Sequence, residues 1–242
     1  MTNFGDMTLN EFCSALSSDK PTPGGGSASG VALSQAGALA CMVANLTIGR
    51  DRYSSGWEAA ELALSVGNKA VEMGNVLADE DAAGYDAVVS AFRMPKATED
   101  EREKRKLTIQ NASINAAKPP LKIAELSLEL LRVLPSLASL GNSNAITDVG
   151  VSALLSSAAC KGGLFNAEIN IVGMKNHIAE EMHNSILSMR EECSKISREV
   201  MHLVHDSLSE CEIPYRSPST GKHGCGPVLP NSWDSIRDSS SY

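Results

Sequence analysis

The chain has 242 residues, enough for one large domain with a sizeable core, and its 43% hydrophobic and 21% charged residues are ordinary for a globular protein. Aromatic residues make up only 4% while Ala, Gly and Ser are abundant, a composition that suits closely packed helices and argues against a β-sandwich. The net charge of −8 excludes the basic face that a nucleic-acid binder needs, so an anionic ligand would have to be held by a local cluster of donors.

The first residues, Met1 to Phe12, lack a basic region followed by an apolar run, so no export signal is expected. The six cysteines (Cys13, Cys41, Cys160, Cys193, Cys211 and Cys225) form no CxxC pair and read as reduced thiols of a cytoplasmic protein. Thr8 and Glu11 form a capping box that opens a first helix through Phe12 and Leu16. Pro21-Thr22-Pro23-Gly24-Gly25-Gly26 breaks it, and Ser27 is a natural N-cap for a second helix running to about Thr47. No charge occurs between Pro21 and Gly49, a length that could span a bilayer. Its Ser, Gln, Asn and Thr content instead favours a helix buried in a bundle, and no membrane partner is expected. Gly30, Ser34, Gly37, Cys41 and Ala44 recur at steps of four and three, giving one face almost without bulk that lets another helix come close.

Trp57 to Phe92 has the helical period at Leu62, Val66, Ala70, Met73, Leu77, Val88 and Phe92, as one helix or two joined near Gly84. Pro95 ends it, and a second capping box, Thr98 with Glu101, opens the next helix, whose charge-rich start is a solvated face. Pro119 and Pro120 predict a helix start, followed by Leu121 to Leu140 with a bend at Pro135. A helix whose one charge is Asp148 is expected from Asn142 to Cys160, a short strand at 167–172 is the one exception to the helical pattern, and a long helix covers Met174 to about Leu208. From Ile213 the sequence turns to Pro, Ser and Gly and reads as a disordered tail. The expected fold is all-α, a multi-helical up-and-down bundle in one domain (1–212) with a tail (213–242).

Four clusters could carry chemistry. The triple-glycine turn, Gly24-Gly25-Gly26-Ser27, is either a plain loop-to-helix turn or a cradle whose backbone N–H groups face an anion; without a preceding strand or a following GK[ST] it is no nucleotide loop. Asn45, Thr47, Arg50, Arg52 and Tyr53 gather at the other end of that helix, where Gly49 and Arg50 suit a helix C-terminus but Asn45 is unexplained. Lys96, taken alone, reads as solvated. Gly141-Asn142-Ser143-Asn144-Ala145-Ile146-Thr147-Asp148 offers caps and turns, or in Asp148 a carboxylate for acid–base work. His202 and His205 with Glu199 share a helix face but lack further ligands, so no metal is expected.

Taken together, Pro21 to Ser27, Met42 to Gly49, Met94-Pro95-Lys96, Gly141 to Asp148 and Asn166 to Ile171 resemble, in order, the successive signatures of the formiminotetrahydrofolate cyclodeaminase/methenyltetrahydrofolate cyclohydrolase family, over about residues 8 to 208. The resemblance implies a multi-helical homodimer with a pocket at or near the subunit contact, a tetrahydrofolate derivative as substrate and no other cofactor. It marks the glycine turn, Asn45, Thr47, Tyr53, Asn142, Asn144 and Asn170 as substrate-binding, and Asp148 and Lys96 as catalytic. The chain departs from the family in having Arg50-Asp51-Arg52-Tyr53 where a lysine run is common. It also has Ile146 before Thr147-Asp148, where the fused vertebrate-type enzymes have Arg before Ser-Asp, and it is expected to work without their formiminotransferase domain. These departures favour the cyclohydrolase, which adds water to the methenyl carbon, over the cyclodeaminase, which closes the 5-formimino group onto N10 and releases ammonia. A folate-binding or helical interaction protein without catalysis is the remaining alternative.

Overall fold

The computed structural model describes residues 3–210; the expected tail, with Cys211 and Cys225, lies outside them. Every regular element among the described residues is helical: α1 (Leu9–Leu16), α2 (Gly25–Thr47), α3 (Trp57–Phe92), α4 (Glu99–Leu140), α5 (Ile146–Ile171) and α6 (His177–Glu210), with short 3-10 turns at Phe4–Asp6, Asp51–Gly56 and Ser143–Ala145. Helices α2 to α5 run alternately up and down, each packed on the next, and α5 closes back onto α2. Helix α6 lies on α4 and α5.

Both capping boxes form, with the Thr8 and Thr98 hydroxyls accepting from the backbone N–H of Glu11 and Glu101. Gly49, at φ 76°, ends α2 in the left-handed conformation expected of it. The bulk-free face of α2 meets α3 backbone to backbone. A Cβ on Gly30 would lie 2.5 Å from the Gly74 carbonyl oxygen, and one on Gly37 would lie 2.6 Å from that of Gly67. Ser34 uses the same approach to donate to the Val71 carbonyl at 3.1 Å. Helix α2 is long and apolar enough to cross a membrane by length and composition, but Leu33, Ala36, Ala40, Val43 and Ala44 are wholly buried within the bundle.

Several expectations are corrected. Helix α3 is one uninterrupted helix, the first of the two expected forms, and Ala70 and Leu77 are buried as expected; the rest of its buried face is small, with Ala63, Gly67 and Gly74, while Leu62 and Phe92 are exposed. The close contact with α2 selects small residues over large ones. Helix α4, capped by Thr98 as expected, continues through Pro119, Pro120 and Pro135. A proline at 120 leaves the Ala116 carbonyl without its intrahelical donor, and the Asn170 amide approaches that oxygen at 3.5 Å. Burial of Ile114, Ala117, Ile123 and Leu126 on the same helix offsets the remaining cost. The 167–172 run is the last turn of α5, which ends where Gly173 takes φ 78°. The final helix begins at His177, with Asn176 accepting from the Ala179 N–H at 2.9 Å.

Candidate active site

The up-and-down topology sorts the sequence-predicted residues into two groups. The start of α2 and the end of α5 share one end of the bundle, with Gly25 against the Asn166 side chain. The end of α2 and the start of α5 share the other, with Thr47 against Asn142. Along α2 the two ends are separated by about 33 Å at the usual helical rise. Gly24, Gly25, Gly26, Ser27 and Asn170 therefore belong to the first end, and Asn45, Thr47, Tyr53, Asn142, Asn144 and Asp148 to the second. Helices α3 and α4 run on past the first end as a two-helix arm, reaching about 16 Å beyond Asp81, and exposed Lys96 sits in its connecting tip. Arg105 ties the arm together, its guanidinium 5.5 Å from the Phe92 ring and donating to the Phe92 carbonyl. Within one chain, Lys96 and Asp148 do not meet.

At the Asp148 end the buried polar side chains Thr47 and Asn142 are tied to each other's segments. Thr47, fully buried, donates to the Val43 carbonyl at 2.8 Å and accepts from the Asn142 N–H at 3.0 Å. Asn142 donates from its amide to the Leu46 carbonyl at 3.1 Å and accepts from the Asn144 N–H at 3.0 Å. This interlock fixes the α4–α5 connection to the end of α2 and leaves Asn45 and Asn144 exposed. Asp148, half-buried, is the third residue of α5 rather than its cap, placed where the helix dipole favours an anion. Arg52 lies over the Tyr53 ring at 5.4 Å.

At the glycine-turn end α2 starts at Gly25 with Gly24 as its cap, three residues before the expected cap at Ser27. Ser27 is buried and its hydroxyl donates to the Ala78 carbonyl at 3.1 Å and to Asp81 at 3.5 Å. The Asp81 carboxylate occupies the space where a Cβ on Gly26 would lie, so Gly26 is required by close approach. Burial pushes Asp81 up to about 6, against the opposing pull of the Ser27 hydroxyl and N–H. Gly25 is exposed. Beside the turn, α1 and α3 enclose a hollow of about 970 Å³ lined by Met7, Ser14, Lys20, Thr22, Asp79 and Asp86 among others.

Asp81 is the residue that sequence reasoning misses. In the run Ala78-Asp79-Glu80-Asp81 it looks like one more solvated acid. The usable signal is its place four residues beyond Leu77, on the face that carries Ala70 and Gly74. Among the described residues no three His, Cys, Asp or Glu side chains converge to hold a metal ion, and His202 and His205 are exposed.

Residues 8–205 match the formiminotransferase-cyclodeaminase family. The chain belongs to that family. It is 30% identical over 208 residues to the methenyltetrahydrofolate cyclohydrolase of Methylorubrum extorquens, covering 85% of this chain and 99% of that enzyme. It is also 30% identical to the formimidoyltransferase-cyclodeaminase of Mus musculus, covering 77% of this chain but only 35% of the mouse protein. Among solved structures, the formiminotetrahydrofolate cyclodeaminase of Thermotoga maritima superimposes with a TM-score of 0.70 at 28% identity, covering 85% of this chain and 98% of that one. The family membership accords with the five sequence signatures and with the all-α bundle.

Proposed function

We propose that this protein is a one-carbon tetrahydrofolate enzyme that hydrolyses 5,10-methenyltetrahydrofolate to 10-formyltetrahydrofolate. The observation that carries this reading is the match to a methenyltetrahydrofolate cyclohydrolase along 99% of that enzyme's length, together with the family signatures in unbroken order. The cyclodeaminase reaction is the second reading, supported by the Thermotoga maritima likeness along 98% of that chain. The two reactions share an amidinium-like one-carbon centre, so one scaffold suits either, with no cofactor beyond the folate itself and no metal. With Cys13, Cys41, Cys160 and Cys193 all unpaired, the cytoplasm is the proposed compartment.

The proposed working unit is a homodimer. Asp148 and Lys96, assigned here as the cation-facing carboxylate and as the proton donor or ligand anchor, sit at opposite ends of one chain, so a single-chain site would lack one of them. A second copy packed antiparallel, as a two-fold axis across the helices requires, sets the Asp148 end of one chain beside the glycine turn and arm of the other. Helices α2 and α5 offer a face for this contact, with Met42, Val151, Leu154, Phe165 and Ile169 exposed. On this reading the glycine turn, Asn45, Thr47, Tyr53, Asn142, Asn144 and Asn170 surround the ligand, with Thr47 and Asn142 acting through the shape of the connection they hold.

The deciding experiment follows methenyltetrahydrofolate absorbance. Loss of the methenyl band on adding protein supports the cyclohydrolase. Its appearance from 5-formiminotetrahydrofolate, with ammonia released, selects the cyclodeaminase instead. No turnover in either assay, with folate still bound, leaves the non-catalytic reading standing.

A further inference from the structure

Helix α6 covers α4 and α5, and its contact with α5 encloses two thiols. Cys160 of α5 and Cys193 of α6 are both wholly buried, and the Cys160 thiol lies within hydrogen-bonding reach of the Cys193 sulfur. The Cys193 thiol in turn reaches the Ser157 hydroxyl at 3.7 Å, one turn before Cys160. Packing alone does not call for this arrangement. Leu164 on α5 and Ile186, Met189 and Val200 along α6 make the surrounding core apolar, and a cysteine that only fills space behaves there as a small hydrophobe. Here two thiols and a hydroxyl from two helices turn toward one another instead. Cys41, the other buried thiol, has no such neighbour among the described residues and faces the Leu64 carbonyl and the Asn68 side chain. Hydrogen bonding from Cys160 and from Ser157, with the Lys161 charge nearby, lowers Cys193 below an ordinary thiol against its burial, while the same contact and burial raise Cys160. One sulfur is thereby favoured as thiolate and the other as thiol, the division that thiol oxidation requires.

From this juxtaposition we propose that Cys160 and Cys193 form a reversible redox staple, a disulfide that joins α5 to α6 under oxidising conditions. The oxidant is hydrogen peroxide, small enough to reach the pair when α6 opens locally. The Cys193 thiolate attacks one peroxide oxygen, the O–O bond breaks, and Cys193 becomes a sulfenic acid as hydroxide leaves. The Cys160 sulfur then attacks the Cys193 sulfur, the S–O bond breaks, and a second hydroxide leaves. The protons of the two thiols turn both hydroxides into water, so two electrons pass from the thiols to one peroxide. Closure draws the sulfurs from contact to about 2.05 Å, a shift that side-chain rotation and a small movement of α6 supply. A small dithiol reverses the step by exchange and is itself oxidised to a disulfide. The bond would fasten α6 to the helix that carries Asp148 at its start and Asn170 near its end. It does so whichever reaction the protein performs, so the proposal stands apart from the folate reading.

The test takes the full chain, reduced, treats it with hydrogen peroxide under native conditions, and alkylates the remaining thiols before digestion. The expected digest, run without reductant, holds a peptide that joins the Cys160 and Cys193 segments and that dithiothreitol separates. The oxidised chain should melt higher than the reduced one by roughly 5–10 °C. Cys160→Ala should show neither the link nor the rise, and should stop at a sulfenic acid that dimedone labels on Cys193. Should that variant fail to fold, the wild-type digest decides by itself. Full alkylation of Cys160 and Cys193 after peroxide has consumed exposed Cys13 overturns the proposal. So does a link that appears only when peroxide is added in urea, which would make the two thiols mere neighbours in the core. A linked chain that melts no higher than the reduced one overturns it as well.

Discussion

At the Asp148 end of the bundle, Thr47 and Asn142 hydrogen-bond to each other and to nearby backbone. At the glycine-turn end, Asp81 is pressed against Gly26 beside the Ser27 hydroxyl and N–H, with no Arg, Lys or His paired to it among the described residues. Both ends carry the polar residues that a sequence scan selects, but they differ in burial: Asp81 lies largely inside the contact between two helices, while Asp148 is half-buried in the first turn of α5. Residue type marks candidate positions, while burial and hydrogen bonds show which of them the fold itself occupies. The 33 Å or so between the ends adds that neither can be a complete active site in one chain if Lys96 and Asp148 both act.

The sharpest way to break this comparison is to remove one charge from each end. Asp148→Asn and Lys96→Ala should each lower turnover by roughly 10²–10⁴ if both groups act in the transition state, or Lys96→Ala should raise KM alone if it only anchors the ligand. When both variants have lost turnover, mixing and re-equilibrating them should recover about a quarter of wild-type activity, because half of the dimers carry one intact composite site. No recovery on mixing, or a fully active monomer by light scattering, rules out the shared site. Near-normal activity in Asp148→Asn would reduce Asp148 to a favourable charge in the first turn of α5.

The α2–α3 contact that sets Asp81 against Gly26 can be tested by Gly37→Leu. The glycine has backbone within 2.6 Å of where a Cβ would go, so overpacking should cost about 3 kcal/mol in denaturant titration. An unchanged midpoint would mean that the helices are not packed this closely. Smaller in size is the pH dependence of Asp81. Its folded value of about 6 lies above the ordinary 3.8, so between these pH values the folded chain holds a proton that the unfolded chain has released. The stabilising contribution is full below pH 3.8, falls as pH rises, and is gone above about 6. Asp81→Asn should therefore exceed wild-type stability by about 1–3 kcal/mol at pH 7.5 and by almost nothing at pH 4. Equal stabilities at both pH values would show that the carboxylate is well compensated after all. The smallest effect belongs to Asn170→Ala, which frees the Ala116 carbonyl and should cost about 1 kcal/mol. A several-fold rise in KM beside that loss keeps Asn170 in the ligand site, whereas an unchanged KM leaves it only as the partner of a carbonyl that Pro120 cannot serve.

Local interactions made much of the fold legible from sequence. Thr8 with Glu11 and Thr98 with Glu101 close their capping boxes within four residues, Gly49 ends α2, and the stripe from Gly30 to Ala44 marks the closest helix contact, because each depends on neighbours in the chain or on helical spacing. What distant segments decide could not be read that way. Pro119 and Pro120 mark a helix start by local rule but lie inside α4, where tertiary burial and the Asn170 amide take over. Ser27 looks like a cap but turns toward α3 because Ala78 and Asp81 wait there. Asp81 looks like surface acid until α2 covers it. The family signatures named the residues in order along the chain. Only the antiparallel packing of α2 and α5 determined that they divide between two ends, since direction and register of helices are fixed by contacts made across the sequence rather than along it.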